Sequence, residues 1–122
     1  MSLINRQIFS LWGVMILLIL VGCPATVPQH KGCYVADSDL RGTYTGECKN
    51  DKAHGFGKAV GKDTYEGEFV EGVINGTGTY LWSNGNRYVG KFQNGERHGL
   101  GTKIYKDGRR VAEEWEKGKK IR

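Results

Sequence analysis

Tyr44, Tyr65 and Tyr88 open three copies of one pattern and Val111 opens a fourth, at spacings of 21, 23 and 23 residues. Two residues after each of the first three starts comes glycine: Gly46, Gly67 and Gly90. Four after comes Cys48, Phe69, Phe92 or Trp115, and seven after comes a turn residue, Asp51, Gly72, Gly95 or Gly118. Offsets eleven and thirteen are always glycine in the full copies: Gly55 and Gly57, Gly76 and Gly78, Gly99 and Gly101. Gly85 and Gly108 stand at offset twenty in two copies. Sixteen of the 19 glycines lie between Gly42 and Gly118, a density that fits either disorder or a turn-rich repeat. Tyr, Phe and Trp recur among them at set offsets, so there is apolar surface to bury, and the repeat reading wins.

Side chains alternate along a strand, so offsets zero, two and four share one face, ring–glycine–ring, as in "YEGEF" and "YVGKF". The glycine bares the backbone between two rings, and the Gly-x-Gly of the second strand lets a neighbouring ring lie over it. Turns are expected at "SNGN" (83–86), "QNGE" (93–96) and "KDGR" (106–109), where Asn-Gly and Asp-Gly tolerate positive φ. Each repeat is then a β-hairpin, and the hairpins stack into an all-β, elongated, twisted antiparallel meander. Tyr44, Tyr65, Phe69, Tyr88, Phe92 and Trp115 fall on one face of it. Either twist and ring-on-glycine stacking bury these rings within the chain, or part of them lines a groove for a partner or a second copy. Exposed sheet edges make a homodimer an expectation.

"YEGEFVEGVINGTGTYLWSNGNR" (65–87) and "YVGKFQNGERHGLGTKIYKDGRR" (88–110) resemble MORN repeats (membrane occupation and recognition nexus). Residues 44–64 resemble a shortened first copy without the late Asn/Asp-Gly. Residues 111–122 resemble a truncated fourth, with Val111 for tyrosine and Glu113 for glycine. The resemblance covers Tyr44 to Arg122 and implies a stacked-hairpin sheet with degraded end copies acting as caps. The family association is with membrane-proximal scaffolding and with phospholipid.

Residues 1–22 are of another kind. After Arg6 runs "IFSLWGVMILLILV" (8–21), fourteen mostly apolar residues, short for a membrane span of about 20 and suited to a signal peptide, helical or disordered before its removal. It ends in "LVGC" (20–23), which resembles the bacterial lipobox. The resemblance implies cleavage after Gly22, a diacylglyceryl thioether on Cys23 and acylation of the new amino group; an uncleaved signal-anchor is the alternative. Two or three acyl chains would hold the protein on a bilayer stably. Residues 23–41 carry the lipid and read as a tether, with a short strand conceivable around Cys33-Tyr34-Val35, and 42–122 form the repeat domain. Cys33 and Cys48 remain as a pair that can form a disulfide in an oxidising compartment, or Cys48 merely fills the aromatic slot of its repeat.

The recurrence of "HGFGK" (54–58) as "HGLGT" (98–102) invites a catalytic or metal-binding reading of His54 and His98. Both stand at offset ten, where the middle copy has Asn75, and four strand spacings of roughly 4.8 Å separate them. They read as repeat residues. The Gly-x-Gly pairs lack the following helix that a phosphate loop needs. Glu66 and Glu68 should point to solvent, and Glu113, Glu114 and Glu116 read as a solvated cluster beside Lys117, Lys119 and Lys120. No catalytic constellation, metal site or cofactor site emerges, so the chain reads as non-enzymatic. From Arg97 to Arg122 nine Lys/Arg face four Asp/Glu, and Lys117, Lys119, Lys120 and Arg122 could contact anionic headgroups.

The resulting expectation is a lipid-anchored cell-envelope protein whose repeat domain binds or scaffolds a protein or envelope polymer. Pro24 after the lipidated cysteine favours the outer membrane, facing the periplasm. Nucleic acid is a poor partner for an exported chain. A module touching anionic lipid through the basic end, and an accessory subunit of an envelope enzyme or secretion complex, are the alternatives.

Overall fold

The computed structural model describes residues 30–122. Cleavage at Gly22 and lipid attachment at Cys23 lie outside the described residues. Among the described residues nine strands follow one another in a single antiparallel sheet whose spatial order is the chain order: β1 (His30–Lys31), β2 (Thr43–Lys49), β3 (Lys52–Val60), β4 (Thr64–Val70), β5 (Val73–Leu81), β6 (Arg87–Gln93), β7 (Glu96–Ile104), β8 (Arg110–Glu116) and β9 (Lys119–Lys120). A 3₁₀ turn at Ser38–Leu40 is the one helical element among the described residues. The all-β meander read from the repeat is the observed fold.

Two turn types alternate. Within repeats, Glu71-Gly72 and Asn94-Gly95 both have positive φ (48° and 88°, 50° and 85°), the backbone of a two-residue hairpin whose twist matches its strands. After the second and third repeats only the glycine is left-handed: Gly85 donates to the Trp82 carbonyl and Trp82 to that of Asn86, each at 2.9 Å. Tyr105 to Arg109 repeats this arrangement around Gly108.

The register aligns the glycines. Gly46 faces Gly57, Gly57 faces Gly67, Gly67 faces Gly78, Gly78 faces Gly90 and Gly90 faces Gly101, so a bare row crosses six strands. Tyr44, Tyr65 and Tyr88 lie in this row, each over the offset-thirteen glycine of its own repeat: a Cβ on Gly57, Gly78 or Gly101 would fall within 3.0 Å of the ring. The offset-eleven glycines, expected to seat rings as well, do something else. Gly55, Gly76 and Gly99 have φ of 83°, 111° and 82°, and the register slips opposite them, making a bulge in each second strand. Glu47 and Glu68 fold onto the first two bulges, and each carboxylate accepts a backbone N–H at 2.5 Å, from Phe56 and Thr77. Glu66 and Glu68 are both exposed on the outer face, as strand alternation requires, and the Glu68 carboxylate turns back to brace the backbone.

Residues 33–41 carry no repeat period and fall within the expected tether, yet they fold onto the sheet. Tyr34 donates to the Asp51 carbonyl and Ala36 to that of Gly72, both at 2.8 Å, while Ala53 and Asp63 donate back to Tyr34 and Asp39. Val35 and Leu40 enter the core beside Ala53 and Ala59. Tyr34 makes only an isolated parallel bridge to Lys52, so the strand conceivable there reduces to one residue pair. This lid supplies the second layer that a single sheet lacks.

Candidate interaction surface

Five of the six rings expected on one face are buried within the chain. Tyr44, Tyr65, Phe69, Tyr88 and Phe92 are all inside the core. Phe69 stands edge-on to Tyr44 and Tyr65 at 5.4 and 5.1 Å between centroids, and Phe92 stands edge-on to Tyr65 and Tyr88 at 5.3 Å each. Such T-shaped pairs add roughly 1 kcal/mol each beyond the area they bury. The Tyr44 and Tyr65 hydroxyls donate to the carbonyls of Glu47 and Glu68 at 2.6 and 3.1 Å. Burial pushes the Tyr65 phenol far above its ordinary value, helped by the Glu68 charge. Burial does the same to Tyr80, whose hydroxyl donates to the buried Asp63 carboxylate at 2.8 Å. These hydroxyls stay protonated and structural.

His54 and His98 perform one job twice. The His54 Nδ1 accepts the Glu71 backbone N–H at 3.2 Å, and the His98 Nδ1 accepts that of Lys117 at 3.2 Å. Each imidazole thus ties its strand to the hairpin turn of the next repeat. The structure holds them on β3 and β7, four strands apart, and does not bring them together.

Glu113 departs from expectation. It is buried, 5% exposed, at the offset-two slot where the other repeats have glycine, and it faces Gly101. Its carboxylate accepts the Trp115 indole N–H at 2.9 Å and pairs with Lys120 at 3.4 Å. The physical reason is the missing ring: Val111 replaces tyrosine, so the space over the glycine row is free for a carboxylate with its own partners. The end hairpin is ordered by the same contacts. Arg122 pairs with Glu114 at 2.8 Å; all four cations expected to meet headgroups are exposed, and of them Lys117 and Lys119 make no salt bridge among the described residues.

Trp115, the sixth ring of the expected face, is only partly buried. The Arg97 guanidinium lies 3.5 Å from its centroid and 5.5 Å from that of Trp82. Burial lowers the Arg97 pKa and Glu113 raises it again, so the side chain remains a cation at neutral pH. Lys103 lies 5.4 Å from the Trp82 centroid and 5.2 Å from that of Tyr105. The repeat pattern alone does not foretell these cation–ring contacts, although a signal is present in it. Tyr105 and Trp82 share offset seventeen, and Arg97 and Lys103 interrupt inner-face positions that are apolar in earlier repeats.

The opposite face holds a second unforeseen feature. Phe56 and Leu100, at offset twelve, are 57% and 68% exposed, and Leu81 and Val89 are also open. Phe56, Leu81 and Val89 border a shallow depression of about 660 Å³ together with Lys58 and Arg87. The other parity of the same strands marks it in the sequence.

Cys33 and Cys48 face one another with Cα atoms 6.3 Å apart, sulfur against sulfur, inside the normal disulfide range. The link would clamp the start of the lid to β2. Among the described residues no group of three or more His, Cys, Asp or Glu is placed to hold a metal ion, and no helix is long and apolar enough to cross a membrane.

The MORN repeat model matches three segments, residues 44–63, 65–87 and 88–109, which together make up more than half of the chain. Their starts coincide with Tyr44, Tyr65 and Tyr88, the residues whose rings lie in the glycine row. Three copies of the motif, each folded as the same hairpin, place this chain in the MORN-repeat family.

Proposed function

We propose that this protein is a lipid-anchored, non-enzymatic binding or scaffolding module of a bacterial cell envelope, cleaved after Gly22 and held on the membrane through Cys23. The observation that carries the binding reading is what the chemically suggestive side chains do. His54 and His98 accept backbone N–H groups, Glu47 and Glu68 brace bulges, and the Tyr44 and Tyr65 hydroxyls donate to carbonyls. Side chains so engaged hold the repeats together, which supports a structural role for them. The "LVGC" run supports the anchor, and Pro24 favours the outer membrane over the inner. The family association with membrane-proximal scaffolding agrees with both.

Replacing the lipidated thiol tests the reading directly. Wild-type protein should fractionate with membranes and take up radiolabelled palmitate, whereas Cys23→Ser should do neither after export. Palmitate incorporation into Cys23→Ser, or a wild-type protein found wholly in the soluble fraction, would refute the anchor. The partner is a protein or an envelope polymer. Lys117 and Lys119 keep direct contact with anionic headgroups as a second reading, because they are exposed cations of the end hairpin that make no salt bridge among the described residues. Flotation with anionic vesicles that is salt-sensitive and lost when both lysines are neutralised would favour it.

A further inference from the structure

The inner face changes chemistry from repeat to repeat. At offsets nine, fifteen and seventeen the first copy has Ala53, Ala59 and Gly61; the second has Ile74, Tyr80 and Trp82; the third has Arg97, Lys103 and Tyr105. The small residues lie under the lid, where Ala53 and Ala59 are fully buried. The lid does not reach the third copy, and Trp82, Arg97, Lys103 and Tyr105 remain partly open to solvent. Both cations border the Trp82 ring, at 5.5 and 5.4 Å, and neither makes a salt bridge among the described residues. Where the lid ends there is a recess of about 310 Å³, bordered by Trp82, Phe92, Arg97 and two carboxylates, Asp37 and Glu96. That volume sits at the lower end of the range for small-ligand sites.

We propose that this uncovered part of the inner face binds an acidic polysaccharide, with the half-open Trp82 as its stacking residue and Arg97 and Lys103 pairing with uronate carboxylates. The Tyr105 ring, which carries Arg109 at 4.6 Å, stays with its cations. Asp37 and Glu96 accept hydrogen bonds from sugar hydroxyls. The proposal rests on the envelope reading above, since it names the polymer that the scaffold holds. The three kinds of group select the ligand class between them. Aromatic faces pack against the polarised C–H bonds of a pyranose ring. Unpaired guanidinium and ammonium groups require anions, preferably ones that accept several charge-assisted hydrogen bonds. The two carboxylates repel anions and require donors.

A uronic-acid polymer carries carboxylates and hydroxyls on the same rigid ring, and meets all three demands at once. An acidic peptide side chain offers no hydroxyl, and a peptide adding as a strand needs an unpaired backbone edge, whereas β7 is paired on both sides. A bilayer surface is flat and cannot follow the recess between the lid and β7. A single polysaccharide chain can.

The test uses the full chain in detergent, titrated with polygalacturonate and followed by tryptophan fluorescence and affinity electrophoresis. Dextran serves as the neutral control and poly-L-glutamate as the acidic peptide control. Polygalacturonate should bind in a salt-sensitive manner, dextran should not bind, and poly-L-glutamate should bind at least tenfold more weakly. Lys103→Gln, which removes one partly solvated charge, should weaken polygalacturonate roughly fivefold without changing the melting temperature. Trp82→Leu should weaken it further. Absence of polygalacturonate binding overturns the proposal, as does equal affinity for poly-L-glutamate or unchanged affinity in both variants. The failures are separable. Polygalacturonate binding by a protein that ignores Cys23→Ser in fractionation sinks the anchor alone, and membrane-held protein without polygalacturonate binding sinks the ligand alone.

Discussion

Gly78→Ala isolates the contact on which each repeat is built. The φ of Gly78 lies outside the left-handed region, so alanine brings no backbone strain there and in a strand is otherwise the better residue by roughly 0.5–1 kcal/mol. Its Cβ, however, would fall less than 3.0 Å from the Oη, Cζ and Cε2 atoms of Tyr65. Tyr65 is 0% exposed, is edge-on to both Phe69 and Phe92, and is pinned by its bond to the Glu68 carbonyl, so the ring has nowhere to retreat. Over-packing of this kind costs about 1–3 kcal/mol, and losing the hydroxyl bond adds about 1 kcal/mol. A total of about 2–4 kcal/mol corresponds to a melting-temperature drop of roughly 10–25 °C for a domain of this size. Urea denaturation followed by tryptophan fluorescence reads it. Tyr65→Leu removes all three clashing atoms, so Gly78→Ala should lose most of its penalty in that background, giving a coupling of roughly 2 kcal/mol in a double-mutant cycle. A penalty that persists undiminished in the Tyr65→Leu background would refute the ring-on-glycine account.

The remaining predictions are smaller in scope. Burial raises the pKa values of Tyr44, Tyr65, Tyr80 and Tyr88 in the folded state above the ordinary value of 10.0, so their contribution is complete below pH 10 and is lost as pH climbs past it. The melting temperature should fall steeply above pH 10, with tyrosinate absorbance appearing together with loss of near-ultraviolet circular dichroism; ionisation of these four in the intact fold would contradict the burial. Cys33→Ser with Cys48→Ser opens a link between residues 15 apart and should cost about 3 kcal/mol, measured as a lowered urea midpoint that wild type reproduces under dithiothreitol. His54→Ala and His98→Ala should each cost only about 0.5–1.5 kcal/mol, the worth of one hydrogen bond, and a far larger loss in either would point to a role beyond joining repeats.

Much of the fold was legible because its determinants are local and recur. Asn94-Gly95 specifies a tight turn without help from distant residues, and the ring–glycine–ring face of "YEGEF" follows from strand alternation alone. The offset-eleven glycines are located by the pattern, but their task is not. Nothing in Gly-x-Gly separates a seat for a ring from a left-handed bulge until the register of both neighbouring strands is known. Glu113 looks in the sequence like one more charge in an acidic run. Its burial depends on the ring that Val111 fails to supply and on Lys120 returning from β9. The outer stripe of Phe56 and Leu100 is visible in the other parity of the strands, but only two copies carry a large apolar residue there, a fainter signal than the tyrosine face.

By itself, then, the amino-acid order determined the unit and its stacking: hairpins of set length, one face of rings and bare backbone, caps at the ends. Those properties arise from dihedral preference and alternation, which act over a few residues and repeat with the pattern. The tertiary structure decided which part of that face meets solvent. The lid at residues 33–41 is held by single contacts to strands tens of residues away, such as Ala36 to Gly72 and Asp63 to Asp39, and a contact made once leaves no period to read. Where the lid stops, the same face changes from core to open surface, because only a second layer can exclude water from a sheet.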